Sequence, residues 1–168
     1  MDIVKAAEQD AISIMSLITE CIDAMEKQGI FMWNKHYPNL ETIETDIKNG
    51  DAYVLRDDSH CVAYVAINEQ QSPEYDQIKW STDGRKVLVI HRLSVHPAQQ
   101  GKGIGRMFMK FIEEYAVQNQ YSCIRLDAYS ENAGALRLYD KMGYKRLGQV
   151  FFPFKALPFY CFEKALNE

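Results

Sequence analysis

Between residues 87 and 119, the apolar and polar positions follow two different periodicities separated by a glycine-rich stretch. Residues 87–95 are mostly apolar and β-branched, which predicts a central strand of a sheet. Residues 104–119 repeat apolar side chains at helical spacing with charged side chains opposite, which predicts an amphipathic helix. Three glycines, Gly101, Gly103 and Gly105, lie between these segments. The pattern therefore predicts a strand, a glycine loop and a helix in that order.

The same periodicities predict strands and helices along the rest of the chain. We expect further strands at residues 2–6, 52–56, 60–67, 123–129, 144–152 and 159–166. We expect further helices from Gln9 to about Gly29, at 40–49 and at 133–142. Residues 68–86 form a long polar linker, within which we expect one helical turn around residues 73–78. Strands mixed with helices in this order predict an α/β sandwich around a mixed sheet.

A glycine loop that opens onto a helix N-terminus is suited to bind phosphate or pyrophosphate. Glycine adopts positive φ and lets a ligand approach the backbone closely, and we expect this of all three glycines. The first N–H groups of the helix are unpaired and carry a partial positive charge. A dinucleotide fingerprint is disfavoured because Arg106 takes the place of its third glycine, and a P-loop because Gly103 follows Lys102. A loop that only turns the chain is the alternative.

Two motifs resemble those of the GNAT-type N-acetyltransferases. Residues 100–105, QGKGIG, fit the pattern Gln/Arg-x-x-Gly-x-Gly, with which that family binds the pyrophosphate of acetyl-CoA. Residues 132–144, NAGALRLYDKMGY, fit the family pattern Asn-x-x-Ala-x-x-Leu-Tyr-x-Lys-x-Gly-Tyr. Asn132 is a suitable N-cap for this second helix, and Gly143 a suitable residue just after its end. Two motifs in the expected order are more specific than either alone, and the resemblance is close over about residues 86–150.

The resemblance implies a fold and a set of cofactor-binding residues. The fold is mixed α/β (α+β) over a single domain, residues 1–168, with a mostly antiparallel mixed sheet of six to seven strands and about four flanking helices. A V-shaped opening between the strands at 87–95 and 123–129 would admit the pantetheine arm of acetyl-CoA. The implied acetyl-CoA contacts are Leu93, Ser94, Val95, Gln100, Gly101, Lys102, Gly103, Ile104, Gly105, Arg106, Asn132, Ala135, Tyr139 and Lys141.

Transfer of an acetyl group to an amine requires two proton movements, and the chain offers a candidate residue for each. A primary amine with a pKa of ~10.4 costs roughly 4–5 kcal/mol to deprotonate at pH 7, so a general base is needed. His91 lies close to Val89, the position where some members of the family carry a glutamate base. Tyr139 occupies the place of the family tyrosine proposed to protonate the leaving thiolate. The alternatives are a hydrogen-bonded strand histidine and a packed core aromatic.

Composition narrows the class of protein and of partner. The 168 residues, 47% hydrophobic and 25% charged, are typical of one globular domain. A net charge of −4 disfavours nucleic acid and anionic membranes as partners and is compatible with a cationic amine. No apolar run approaches the ~20 residues of a membrane span, and we expect a cytoplasmic protein. The scattered cysteines predict buried thiols rather than disulfides or a metal site: Cys21, Cys61, Cys123 and Cys161.

We therefore expect an acetyl-CoA-dependent N-acetyltransferase without a metal, which works by direct transfer to an unidentified amine in a ternary complex. A non-catalytic acyl-CoA-binding sensor and an enzyme that transfers a larger acyl group are the alternatives. Further candidates for the base are Glu69, Glu74 and Asp76 in the linker. The aromatic segment 30–38 either packs over the core or lines the acceptor site. The chain is expected to be a monomer or a homodimer, and four aromatics suit an interface or a core edge: Phe151, Phe152, Phe154 and Phe159.

Overall fold

The computed structural model describes residues 1–153 and 155–166, which form seven strands and four α-helices. The strands are β1 (Ile3–Lys5), β2 (Ala52–Asp57), β3 (His60–Asn68), β4 (Val87–Val95), β5 (Cys123–Tyr129), β6 (Lys145–Val150) and β7 (Phe159–Ala165). The helices are α1 (Ala11–Lys27), α2 (Leu40–Lys48), α3 (Ile104–Gln118) and α4 (Ala133–Lys141). Short 3-10 turns cover Glu8–Asp10, Pro73–Gln77 and Pro97–Gln99. Every strand and helix predicted from the periodicity is present, and no end differs from its prediction by more than two residues.

The strands form one mixed sheet with the order β1-β2-β3-β4-β5-β7-β6. β4 and β5 are parallel, whereas the pairs β1–β2, β2–β3, β5–β7 and β6–β7 are antiparallel. The parallel ladder joins Val87–Val89 to Cys123–Arg125 and ends there, although both strands run on. The predicted mixed, mostly antiparallel sheet with about four helices is confirmed. The V-shaped opening and the single domain stay predictions.

The chain divides into two compact units, of which the first contains Met1–Ile67 and His91–Phe108. Apolar residues three or four positions apart on α1 share one face of the helix, and that face is buried. Trp33, in the aromatic segment 30–38, packs against this core, whereas Phe31 is 61% exposed. Part of the segment therefore packs over the core, and its role as a wall of the acceptor site stays a prediction. Fully buried members of the core include Ile14 and Ile18 of α1, Ile43 of α2, Val54 of β2 and Tyr64 of β3.

The second unit contains Asn68–Ile90 and the described residues from Met109 onwards. All seven residues of β7 pair with β5, and β6 pairs with the other edge of β7. Phe159 on β7 is buried and its ring centroid lies 4.9 Å from that of Phe152, while Phe151 is 55% exposed. Among the candidate interface aromatics, Phe151 is thus at the surface and Phe159 in the core; Phe154 lies outside the described residues.

The four cysteines are free, buried thiols, as predicted. Among the described residues, no group of histidine, cysteine, aspartate and glutamate side chains is arranged to hold a metal ion. In the same part of the chain, no helix combines the length and the apolar character needed to cross a membrane.

Candidate active-site elements

The glycine loop of the first unit is anchored to the end of β4. The Gln100 side chain donates from Nε2 to the carbonyl oxygen of Val95 at 3.0 Å. Cys21 on α1 donates from Sγ to the same oxygen at 3.4 Å. His96 caps the 3-10 turn in between, because its Nδ1 accepts from the N–H of Ala98 at 3.1 Å. Gln100 therefore fixes where the loop leaves the strand.

Gly101 and Gly103 adopt the left-handed backbone conformation, with φ of 79° and 84°. A Cβ added to either glycine would meet no protein atom within 4 Å, so the backbone there is open to a ligand. The Gly103 carbonyl accepts from the N–H of Met107 at 3.0 Å, which places Gly103 directly before α3. The N–H groups of the first turn of a helix lack intrahelical acceptors. The loop therefore combines close backbone approach with free amide donors, which is the arrangement that binds phosphate.

Gly105 differs from the other two glycines of the motif. It lies inside the first turn of α3, so the expectation that it adopts positive φ is wrong. Ile104 next to it is buried and ties this turn to the interior. Lys102 and Arg106 are exposed, and Lys102 Nζ lies 3.4 Å from Oε1 of Gln99. Two cationic side chains of the motif are thus available to solvent beside the loop.

β4 contains a kink that the sequence analysis missed. Arg92 has a φ of 57°, which is the left-handed region for a residue with a side chain. Its guanidinium donates two hydrogen bonds to Asp46 of α2, at 2.6 and 3.0 Å. The same carboxylate accepts from the Tyr64 hydroxyl, and the Tyr37 hydroxyl accepts from Arg92 Nη1 at 3.0 Å. This buried ion pair offsets the backbone strain. Its partners are 46 residues apart, so no local motif announces it.

The predicted site residues on β4 lie on either side of this kink. His91, Leu93 and Val95 are half-buried. Ser94 is buried, and its hydroxyl donates to the carbonyl of Arg92 at 2.9 Å. The Ser94 side chain therefore braces the kink, and any contact of this residue with a cofactor falls to its backbone.

In the second unit, the second motif forms α4 as expected. Asn132 Oδ1 accepts from the N–H of Ala135 at 3.2 Å and caps the helix. Ala135 is half-buried, and Lys141 is exposed at the other end of the helix. Gly143 follows the helix with a φ of 84°. The capping roles predicted for Asn132 and Gly143 are thus present, and the first of them already occupies the amide oxygen of Asn132.

Tyr139, the candidate acid, is buried on the inner face of α4. Its ring centroid lies 5.7 Å from that of Phe162 and 6.2 Å from that of Tyr144. Burial raises the pKa of Tyr139 above its ordinary value, and the charge of Asp127 adds to the rise. The phenol therefore stays protonated at physiological pH and can donate a hydrogen bond.

Asp127 on β5 is a candidate that sequence reasoning did not single out. It is half-buried, and the Tyr75 hydroxyl donates to its Oδ2 at 2.7 Å. Burial raises the pKa of Asp127 to about 6; the hydrogen bond from Tyr75 opposes the rise and the charge of Glu74 adds to it. The available signal was a carboxylate two positions after Arg125 in a strand whose other residues are mostly apolar. Its meaning depends on a tyrosine 52 residues away in the linker.

The linker is held to the sheet by a second buried ion pair, Arg125 of β5 with Glu163 of β7. Arg125 Nε donates to Glu163 Oε2 at 2.8 Å, and both side chains are almost fully buried. Glu163 also accepts from the N–H and hydroxyl of Ser81, at 2.9 and 2.7 Å. The Arg125 guanidinium stacks 4.3 Å from the ring centroid of Trp80. Burial alone would raise the pKa of Glu163, but hydrogen bonds from Arg125 and the linker hold it below its ordinary value.

Comparison with known proteins matches both units. A family model described as the acetyltransferase (GNAT) family covers residues 18–144. The chain is 37% identical to N-acetyltransferase 8B of Mus musculus over 68 residues, which are 40% of this chain and 29% of that protein. It is 27% identical to the N-acetylaspartate synthetase of Danio rerio over 108 residues, 64% of this chain and 38% of that protein. The chain thus spans less than half the length of these curated relatives.

Solved structures match over nearly the whole chain. A GNAT-family acetyltransferase from Streptococcus agalactiae is 26% identical, with a TM-score of 0.86 over 99% of this chain and 96% of that one. A putative acetyltransferase from Salmonella typhimurium, solved with its cofactor acetyl-CoA, is 21% identical with a TM-score of 0.71, over 100% of this chain and 95% of that one. The second likeness shows the fold alone. Since the family model covers most of the sequence and the fold agrees, the chain belongs to the GNAT acetyltransferase family.

Proposed function

We propose that the protein is an acetyl-CoA-dependent N-acetyltransferase that moves the acetyl group to a primary amine by direct attack in a ternary complex. The observation that carries this proposal is the open backbone at Gly101 and Gly103, directly before the first turn of α3. Acetyl-CoA fits such a loop because its pyrophosphate is the anion that the free amides and exposed cations would hold. Family membership supports the same cofactor.

The donor side of the reaction is assigned to the first unit. The amides that follow Gly103 would bind the pyrophosphate, with Lys102 and Arg106 supplying positive charge at the rim. Backbone groups of Leu93 and Val95 would pair with the pantetheine amides. Bound there, acetyl-CoA supplies an activated thioester carbonyl.

The role of stabilising the leaving group is assigned to Tyr139 of α4. A thiol has a pKa of ~8.5, well below that of a buried phenol, so Tyr139 stays protonated and stabilises the departing thiolate by a hydrogen bond or a proton. His91, half-buried on β4, remains the base suggested by the sequence. None of the four cysteines is suited to act as a nucleophile, because burial raises the pKa of each and keeps it a thiol. Direct transfer to the amine needs no such nucleophile.

Thiol release from acetyl-CoA, measured against a panel of amines, tests the proposal. The panel contains an amino acid, a polyamine, an aminoglycoside and a peptide with a free N-terminus, since the acceptor is unidentified. We expect release that depends on one amine class and falls about 100-fold in Tyr139→Phe, with acetyl-CoA affinity nearly unchanged. Tyr144→Phe, which removes the hydroxyl from the adjacent ring, is the matched control and keeps its turnover.

Two outcomes contradict the proposal. If acetyl-CoA does not bind, the loop assignment is wrong. If acetyl-CoA binds but no amine stimulates thiol release, the transferred group is not acetyl. Turnover of a longer acyl-CoA would then show transfer of a larger group, and turnover of no acyl-CoA would show a protein that only senses acyl-CoA.

A further inference from the structure

We propose that Asp127 accepts the proton from the amine substrate, held in place by the Tyr75 hydroxyl. This inference rests on the proposed function and names the base that the function requires. It assigns the role to β5 and the linker, in place of His91 on β4.

Asp127 stands apart from the other buried or half-buried carboxylates that hydrogen-bond to side chains of distant elements. Asp10 pairs with Arg56, Asp46 with Arg92 and Glu163 with Arg125, each at 2.6 to 2.8 Å. Among the described residues, no lysine, arginine or histidine forms an ion pair with Asp127, and its hydrogen-bond donor is the neutral Tyr75 hydroxyl. A carboxylate withdrawn from water without a cation is costly, so the fold retains here a negative charge that it does not itself neutralise. A substrate ammonium supplies the missing cation.

The position of Asp127 on the strand agrees with this role. The parallel ladder with β4 ends at Arg125, so Asp127 lies two residues beyond the last pair. On the other edge its backbone pairs with Cys161 of β7. Leu126 and Ala128 on either side are buried, whereas Asp127 keeps part of its surface accessible. The carboxylate is therefore fixed by the sheet yet reachable from solvent.

The groups around Asp127 favour a cationic partner and a useful basicity. Tyr75 and Glu74 approach from the linker, Cys161 from β7 and Tyr139 from α4. None of these four carries a positive charge. Arg125, two residues away on β5, acts on Tyr75 but is itself ion-paired with Glu163. Burial raises the pKa of Asp127 to about 6, which brings it closer to neutral pH than an ordinary carboxyl and makes it a stronger base.

The protons balance in the resulting reaction. The ammonium gives one proton to Asp127, and its nitrogen lone pair then attacks the thioester carbonyl. The C–N bond forms, the C–S bond breaks and the thiolate leaves. The nitrogen loses a second proton as the amide forms. Tyr139 donates a proton to the sulfur, which leaves as the thiol, and the second proton from the nitrogen restores the Tyr139 hydroxyl. The first proton passes from Asp127 to solvent.

The pH dependence of kcat/KM, measured with the amine that the wild-type protein accepts, tests the inference. In the wild type we expect an acidic limb near pH 6, because Asp127 must be ionised. Asp127→Asn should lower kcat/KM at least 100-fold and remove the limb. Tyr75→Phe deletes a hydrogen bond that lowers the pKa of Asp127, so the limb should move to higher pH. Glu74→Gln deletes a charge that raises it, so the limb should move to lower pH.

Asp83→Asn is the matched control, since it removes an exposed carboxylate of the same linker, ion-paired with Arg85. It should leave both the rate and the limb unchanged. Either of two results overturns the inference. In the first, Asp127→Asn keeps the acidic limb and a kcat/KM within threefold of the wild-type value. In the second, the limb disappears in His91→Gln and persists in Asp127→Asn. Either result leaves the proposed acetyltransferase activity intact, because the wild type still transfers acetyl groups.

A wild type that binds acetyl-CoA but acetylates no amine would instead contradict the proposed function. Carbon-13 NMR titration of Asp127 then decides the inference on its own. A pKa near 6 that rises in Tyr75→Phe and falls when spermidine is added supports it, because a bound cation stabilises the carboxylate. An ordinary carboxyl pKa, or one that spermidine and both linker variants leave unchanged, overturns it.

Discussion

The glycine loop and the polar network of Arg125, Glu163 and the linker both interact with charged groups, but they are built in opposite ways. The loop at residues 100–106 uses backbone amides and two left-handed glycines, all within seven consecutive positions. The network joins Arg125 to Glu163, 38 residues away, and to a linker more than 40 residues upstream. The loop leaves its donors open, whereas the network satisfies its buried charges internally. The first is arranged for a ligand, and the second holds the fold. The second also positions Tyr75, because Trp80, which stacks on Arg125, donates from Nε1 to the Tyr75 carbonyl at 3.1 Å.

The largest expected effect is on the loop. Gly103→Val should remove measurable acetyl-CoA binding, because a branched Cβ fills the open space beside the backbone and disfavours positive φ. Isothermal titration calorimetry measures the loss. Gly29→Val is a matched control, since Gly29 has a φ of 78° and equally open surroundings at the end of α1. Both variants carry the same backbone strain of about 1–3 kcal/mol from valine at positive φ. Only Gly103→Val should therefore lose affinity for acetyl-CoA. Equal binding by the two variants would contradict the pyrophosphate assignment.

The network should show the next largest effect, on stability. Glu163→Leu leaves the Arg125 charge buried without a partner and removes the acceptor of Ser81, so the free energy of unfolding should fall by about 3–5 kcal/mol. Urea denaturation measures the fall. The double variant Arg125→Met/Glu163→Leu should recover part of the loss, because no unpaired charge remains. Asp83→Asn, at the exposed ion pair with Arg85, should leave the urea midpoint nearly unchanged. A midpoint for Glu163→Leu equal to that of Asp83→Asn would show that the network contributes little.

The smallest expected effect is a pH-dependent one at Asp127. Its pKa is about 6 in the folded chain and ~3.9 unfolded, so the folded state binds the extra proton between those pH values. Its contribution to the free energy of unfolding is complete below about pH 4 and is lost as the pH rises through 6, by about 2 kcal/mol. Asp127→Asn should therefore gain this amount relative to the wild type between pH 4 and pH 7. A difference that stays constant over this range would contradict the raised pKa.

The contrast also explains how far the sequence predicts the structure. Strands and helices followed from the spacing of apolar side chains, and the loop and the α4 motif followed from residues adjacent in the chain. The positive φ predicted for Gly105 was wrong because α3 already begins at Ile104, which places Gly105 inside the helix. The kink at Arg92 and the environment of Asp127 depend on Asp46 and Tyr75, which are brought near only by folding. Residue pattern thus predicts the backbone-built elements and misses the side-chain networks.

The buried cysteines have a practical consequence for reaction measurements. Burial raises the pKa of Cys21, Cys61 and Cys161 to about 12, and that of Cys123 above its ordinary value. Thiolates, not thiols, react with disulfide reagents. The cysteines of the folded chain should therefore add no signal to a colorimetric assay of released coenzyme A. Any slow background reaction then reports local opening of the protein. Because Cys21 Sγ donates to the Val95 carbonyl, the labelling rate of this one sulfur records how often α1 lifts away from the strand end that carries the loop.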